Sequence, residues 1–256
     1  MTATSEPVVV VTGGARGIGL EVVRAFAHAG FRVVTCDADV GLNGTVDMVN
    51  REIGADIVTG LRGDLEQLST LDSLAELASA AGQPQALVNN AAVVMLQRSD
   101  ATTVADFERA IHVNVRAYWY LTMQLRDDLR TSGSGAVVNI GSTHPWQTKR
   151  ASFPYNISKG AVLALTKALS VDLGPEGIRV NSVVPGIVDT QPTREWMATQ
   201  NDPDATHRSV LDDHPLQRLP TMVEVAAAVL FLCSSAASGI SGTELVVDCG
   251  RQAQRR

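Results

Sequence analysis

Tyr155 and Lys159 stand four residues apart, so on a helix they share one face, one turn from each other. A free tyrosine has a pKa of about 10, too high for a base near neutrality. A neighbouring ammonium favours phenolate and lowers that value, each unit corresponding to about 1.36 kcal/mol. Such a pair moves a proton on and off an alcohol or carbonyl oxygen. Ser142, closing the stretch Val137-Val138-Asn139-Ile140-Gly141-Ser142, offers a hydroxyl that can bond that oxygen and stabilise its developing charge. A Tyr-x-x-x-Lys pair alone is common on helix surfaces; it gains meaning from what accompanies it.

Moving a hydride as well as a proton requires a nucleotide carrier. Val8–Thr12 reads as a buried strand that runs into Gly13-Gly14-Ala15-Arg16-Gly17-Ile18-Gly19. Glycines let this backbone turn tightly and approach a pyrophosphate, with a helix N-terminus presenting free N–H groups behind it. The spacing is GxxxGxG rather than GxGxxG, and Leu20 stands where a P-loop needs lysine. Asp37 closes the second apolar run, about 20 residues after the loop. A carboxylate there accepts hydrogen bonds from the adenosine ribose and repels a 2′-phosphate. NAD(H) is therefore expected over NADP(H), although Arg16 pulls the other way. Asp64, in Gly63-Asp64-Leu65, is placed to bond the adenine amino group or to N-cap a helix from Glu66. In Asn89-Asn90-Ala91-Ala92, Asn90 is placed to lock neighbouring backbone and line the cofactor channel.

These residues need a frame. Short apolar runs at 8–12, 31–36, 56–61, 86–89, 136–140, 178–184 and 244–248 alternate with helical stretches near 18–29, 42–54, 66–81, 104–131, 155–173 and 222–233. Strands without polar alternation, separated by helices, imply a parallel sheet covered on both faces. The expected fold is α/β: a doubly wound, Rossmann-type sheet of about seven strands in a single domain. Ligands in such folds lie beyond the carboxyl ends of the strands. The Gly loop, Asp37, Asn90, Ser142 and Pro185-Gly186 all fall there. The polar, proline-bearing stretch of about 190–220 reads as a substrate lid.

Composition narrows the partners. Hydrophobic residues make up 45% of the 256, and the net charge is −6 without a block of like charges. Nucleic acid and anionic membranes are not expected partners. No apolar stretch approaches the ~18 residues of a membrane span. Met1–Pro7 has no secretory pattern, and the arginine-bearing tail 251–256 reads as a solvated end. Cys36, Cys233 and Cys249 are scattered, and neither they nor the histidines have metal-ligand spacing. A reducing, cytoplasmic setting and no metal are expected.

Taken together, these residues make the chain resemble a short-chain dehydrogenase/reductase over about Val8 to Gly250. The family's TGxxxGxG stands as Thr12–Gly19, its NNAG as Asn89–Ala92, and its Ser and YxxxK as Ser142, Tyr155 and Lys159. The resemblance implies that Asn114 holds a water continuing a proton relay from Lys159. It also implies that Pro185-Gly186, Val188 and Thr190 meet the nicotinamide carboxamide, and that Lys159 binds the nicotinamide ribose. Helix-mediated dimers or tetramers are implied through 104–131 and 155–173. Ala92 and Cys249 replace family glycines, small for small.

The substrate wall is expected from Val93–Met95, His144, Trp146, Gln147, Gln191, Trp196 and Met197. Its mixed character suits a small or medium alcohol or ketone with an apolar part. The favoured function is NAD(H)-linked hydride transfer with Tyr155 as acid/base. Alternatives are an NADP(H)-dependent 3-oxoacyl reductase, a non-catalytic nucleotide-binding protein of the same fold, and a sugar-nucleotide epimerase or dehydratase. The last class is typically longer than this chain.

Overall fold

The structure, a computed structural model, describes residues 6–254. Residues 1–5 and the last two arginines of the tail lie outside the described residues. In chain order the elements are β1 (Pro7–Thr12), α1 (Gly17–His28), β2 (Arg32–Asp37), α2 (Leu42–Ile53), β3 (Val58–Arg62), α3 (Leu68–Ala81), β4 (Gln83–Asn89) and β5 (Leu96–Gln97). They continue with α4 (Val104–Ile111), α5 (Ala117–Gln124), α6 (Arg126–Thr131), β6 (Ala136–Ile140), β7 (Phe153–Pro154) and α7 (Tyr155–Leu173). The chain then runs through β8 (Arg179–Pro185), α8 (Gln191–Ala198), α9 (Pro203–Asp212), α10 (Met222–Cys233) and β9 (Glu244–Val247).

Seven strands form one sheet in the order β3-β2-β1-β4-β6-β8-β9. Every pairing in it is parallel. The valine run of β1 shows why no polar alternation was visible. Val9 and Val11 face one layer with Phe26 and Val229, while Val8 and Val10 face the other with Leu71, Leu121 and Leu173. A strand covered on both faces has no solvent side to mark with polar residues. The strand order reverses between β1 and β4, and the crevice opens at their carboxyl ends.

The structure departs from the sequence reading at several places. β2 reaches Asp37, placing that carboxylate on the strand end itself. Stretch 104–131 is three helices, because a widened turn of π type occupies His112–Arg116 and a break falls at Leu125. Ala117 N–H there reaches back to His112 O, one residue further than an α-helix allows. Stretch 190–220 carries helices α8 and α9, capped by Thr190 and Asp202 side chains. β5 and β7 form a small antiparallel pair that the sequence did not signal. Among the described residues there is no helix long and apolar enough to cross a membrane, and no metal-ligating cluster.

Candidate active site

The glycine loop takes its shape from the close approach of the β1 and β4 ends. Gly13 has φ +75°, and a Cβ on it would lie 2.8 Å from Ala91 Cα and from Asn90 Nδ2. A Cβ on Gly19 would collide with the Gly13 carbonyl. Gly17, at φ +63°, faces open space. Asn90 Nδ2 donates to Thr12 O at 2.9 Å and Gly13 O at 3.1 Å. Thr12 Oγ1 accepts from the N–H groups of Asn90 and Ala91 at 2.9 and 3.1 Å. The start of α1 has no capping side chain, so its N–H groups and positive dipole end are available. This cradle fits a pyrophosphate.

Asp37 is held in place. Its Oδ2 accepts from Ala15 N–H at 3.0 Å and its Oδ1 from Asp39 N–H at 3.0 Å. Arg16 extends into solvent and pairs with Asp39 at 3.7 Å. Two carboxylates thus stand at the β2 end against one exposed guanidinium. Asp64 does not cap α3, which starts at Leu68. It forms a local turn with Glu66 N–H at 3.0 Å and accepts from Arg109 at 2.9 Å. Burial opposes its charge, but those bonds hold its carboxyl below the usual range. Neighbouring Leu65 is buried in the core.

Beyond β6, the Ser142 hydroxyl stands near the phenol of Tyr155, the first residue of α7, and favours its ionised form. Ser142 Oγ also lies 3.3 Å from His144 Nδ1, and the His144 ring meets the Tyr155 ring edge-on at 5.6 Å. Burial, with Lys149 and Arg251 nearby, pushes the His144 pKa down and keeps the ring neutral. Lys159 is 1% exposed. Its Nζ donates to Ile140 O at 2.6 Å and lies 5.8 Å from the Tyr155 ring centroid. The sequence argument had the ammonium lowering the tyrosine. The larger effect in the structure is burial, which raises Tyr155, while the nearby Ser142 hydroxyl pulls it back. Burial likewise pushes Lys159 down to about 7. A buried amine titrating in that range thus stands one helical turn from the Tyr155 phenol.

Asn114 sits in the π turn, fully buried. Its Oδ1 accepts from Val93 N–H at 2.8 Å, and its Nδ2 donates to Val93 O at 3.0 Å and Ser158 Oγ at 2.9 Å. The side chain ties the β4 exit to α7. Past β8, a Cβ on Gly186 would press on Asp248 at 2.7 Å, and Gly186 N–H donates to Val247 O. Pro185 O accepts from Thr143 N–H, coupling this turn to the serine loop. Val188 is buried, and Thr190 caps α8.

Of the expected wall residues, Lys149 Nζ lies 5.1 Å over the Trp196 ring, which brings α8 against the serine loop. Trp146 is 43% exposed at the rim. Gln191 is exposed and bonds Glu195 at 2.7 Å, while Met197 packs with Val210 and Leu219 in a small core of the 190–220 segment. A cleft of about 670 Å3, lined by Arg194, Met197, Leu211 and Arg218, undercuts that segment and involves none of the four catalytic candidates. The tail is not wholly solvated: Arg251 is 15% exposed in its side chain and lies 3.9 Å from Asp213. Sequence reasoning also missed Tyr118, fully buried beside Lys159, and the ladder Asn89–Asn139–Thr166 with bonds of 2.9 and 3.0 Å. Only the four-residue spacing from Asn114 hinted at Tyr118.

Comparison with known proteins follows this geometry. The family described as enoyl-(acyl carrier protein) reductase matches residues 13–252. The chain is 34% identical to galactitol 2-dehydrogenase (L-tagatose-forming) of Cereibacter sphaeroides, over 94% of this chain and 92% of that protein. It is 33% identical to cyclopentanol dehydrogenase of Comamonas sp. (strain NCIMB 9872), over 98% of each. The crystal structure of levodione reductase has the same fold, with TM-score 0.89 at 24% identity and 98% of each chain covered.

Proposed function

The chain belongs to the short-chain dehydrogenase/reductase family of oxidoreductases acting on hydroxyl and carbonyl groups, and we propose that it interconverts a small secondary alcohol and its ketone with NAD(H), using Tyr155 as acid/base. The observation that carries this reading is the buried Lys159 one turn along α7 from Tyr155, its Nζ 5.8 Å from the Tyr155 ring centroid, with Ser142 and Tyr155 both set against the His144 ring.

The dinucleotide, when bound, supplies or accepts the hydride. Its phosphates suit the Gly13–Gly19 cradle and the uncapped start of α1. Asp37 is oriented by Ala15 N–H to accept from a ribose hydroxyl, and its charge favours NAD(H) over NADP(H). Asp64, Leu65 and Asn90 border the adenine side; Pro185, Gly186, Val188 and Thr190 border the nicotinamide side. Ser142 bonds the substrate oxygen and Tyr155 takes its proton in oxidation or returns it in reduction. Lys159, when protonated, stabilises the phenolate, so oxidation gains from the cation and from rising pH until the amine discharges. Neutral His144 lines the substrate side with Trp146, Gln191 and Trp196. The 190–220 segment acts as a lid of a single catalytic domain.

Galactitol and cyclopentanol, named for two relatives, share a secondary carbinol, which supports that substrate class. The exposed face formed by Trp119, Ile157, Ala164, Ala168 and Val171 supports a homo-oligomer, a dimer or tetramer, through α5 and α7. The free cysteines support a reducing, cytoplasmic setting. A panel of secondary alcohols and ketones, followed by nicotinamide absorbance with both cofactors, tests the proposal. Turnover with NAD(H) on a secondary carbinol upholds it. Absence of turnover across the panel, or a clear NADP(H) preference, goes against it.

A further inference from the structure

One buried titratable group has no part in the chemistry above. Tyr118, on α5, is 1% exposed. Its hydroxyl donates to Ala91 O at 3.1 Å and accepts from Lys159 Nζ at 3.4 Å. The same Nζ lies 5.5 Å from the centre of its ring. Ala91 itself belongs to the β4 bend that Thr12 and Asn90 stitch to the glycine loop. We propose that Tyr118 is a positioning residue for Lys159: its hydroxyl oxygen and ring face, together with Ile140 O, hold the amine at the station from which it acts on Tyr155. The inference rests on the assignment of Tyr155 and Lys159 given above.

The bonding pattern separates positioning from proton relay. A relay needs an onward acceptor, and among the described residues the onward partner of this hydroxyl is the Ala91 peptide carbonyl, which does not take the proton away. Burial, followed by the proximity of Tyr155, drives the Tyr118 pKa up, so the phenol stays neutral. A neutral oxygen and an aromatic face both favour the charged amine over the uncharged one. Burial works against that charge. The titratable groups around Nζ are Tyr155 on its own helix, Tyr118 on α5 and, beyond Tyr155, His144 on the loop after β6. His112 and Arg116 of the packed π turn face Glu66 instead, as does Arg109 of α4. Arg179 of β8 is taken by Leu232 O. Among the described residues no charged partner offsets the desolvation of Lys159, which leaves the hydroxyl of Tyr118 and the carbonyl of Ile140 as its support.

The chain has three lysines, Lys149, Lys159 and Lys167. Carbon-13 labelling of lysine side chains therefore gives a three-signal NMR titration, with Lys159 assigned by its loss in Lys159→Arg. In Tyr118→Phe, which keeps the ring, the Lys159 midpoint is expected to fall by about one unit, equivalent to ~1.4 kcal/mol. In Tyr118→Leu, which removes the ring face as well, it falls further. Oxidation at pH 7 drops about fivefold in Tyr118→Phe as the charged fraction of the amine falls, its rise with pH moves upward, and the KM for NAD+ stays within about threefold. A Lys159 titration in Tyr118→Phe that overlays the wild type overturns the inference. So does a pH-independent loss of activity equal in both variants, the mark of a purely structural role. The titration needs no turnover, so an inactive wild type would count against the proposed function alone.

Discussion

Replacing Lys159 with methionine is expected to stabilise the protein at acid and neutral pH. The amine is 1% exposed, with one close acceptor, Ile140 O at 2.6 Å. Burial takes its pKa from 10.5 to about 7. A folded pKa below the unfolded one means that the unfolded chain binds the extra proton between about pH 7 and pH 10.5. Stability therefore rises with pH through that window, and the full cost of the lysine is present below pH 7. A gap of about 3.5 units corresponds to roughly 5 kcal/mol. Methionine has similar volume but leaves the Ile140 carbonyl without that donor, which costs about 1–3 kcal/mol. The net gain at pH 6 is thus about 2–4 kcal/mol. In a chain of this size that is a rise of very roughly 4–15 °C in Tm. Thermal melts of both proteins at pH 6, 8 and 10 read it directly. The advantage should shrink steadily and vanish or reverse by pH 10. A methionine variant no more stable at pH 6, or a difference constant across the series, refutes the claim that this amine is held against its solvation.

Asp37→Asn keeps an acceptor for Ala15 N–H while deleting the charge. A unit charge pair at ~6 Å and an effective dielectric of ~20 is worth ~3 kcal/mol, cut to ~1–2 by exposure, so kcat/KM with NADP+ should improve about tenfold. An unchanged NADP+ to NAD+ ratio would show that this carboxylate does not face the ribose. Trp196→Ala removes the contact with Lys149 between α8 and the serine loop, and should raise substrate KM several-fold with cofactor KM steady. Equal KM values would detach α8 from the substrate. Trp119→Glu puts a charge on the exposed α5–α7 face and should lower the oligomeric state in sedimentation velocity. An unaltered sedimentation coefficient places the interface elsewhere.

The frame was legible because its signals are local. Valine runs buried on both faces, glycines at φ +75° and +63°, and residues clustered after strand ends each write themselves into adjacent positions. What stayed hidden depends on distant contacts. The π turn at His112–Arg116 has no residue signature, since its extra residue is accommodated by Asn114 bonding Val93 and Ser158 across the fold. Tyr118 reads as one aromatic among Tyr118-Trp119-Tyr120, and only packing decides that it turns inward while Trp119 stays at the surface. The 190–220 segment looked irregular because its two helices are short and mostly polar, with a few apolar anchors such as Met197 and Val210. The direction of the Tyr155 shift depends on burial for a related reason. Spacing reveals a neighbouring cation, but burial of both partners is a tertiary quantity.

The most direct test of the account is the Tyr155→Phe variant, measured for turnover of a secondary alcohol and for NAD+ affinity in parallel. The single lost oxygen removes the proton acceptor but none of the glycine cradle. Turnover should fall by at least about a thousandfold, within the 10²–10⁴ range for a positioned acid/base group, with the Kd for NAD+ nearly unchanged. Substantial activity in that variant would contradict the account at its centre.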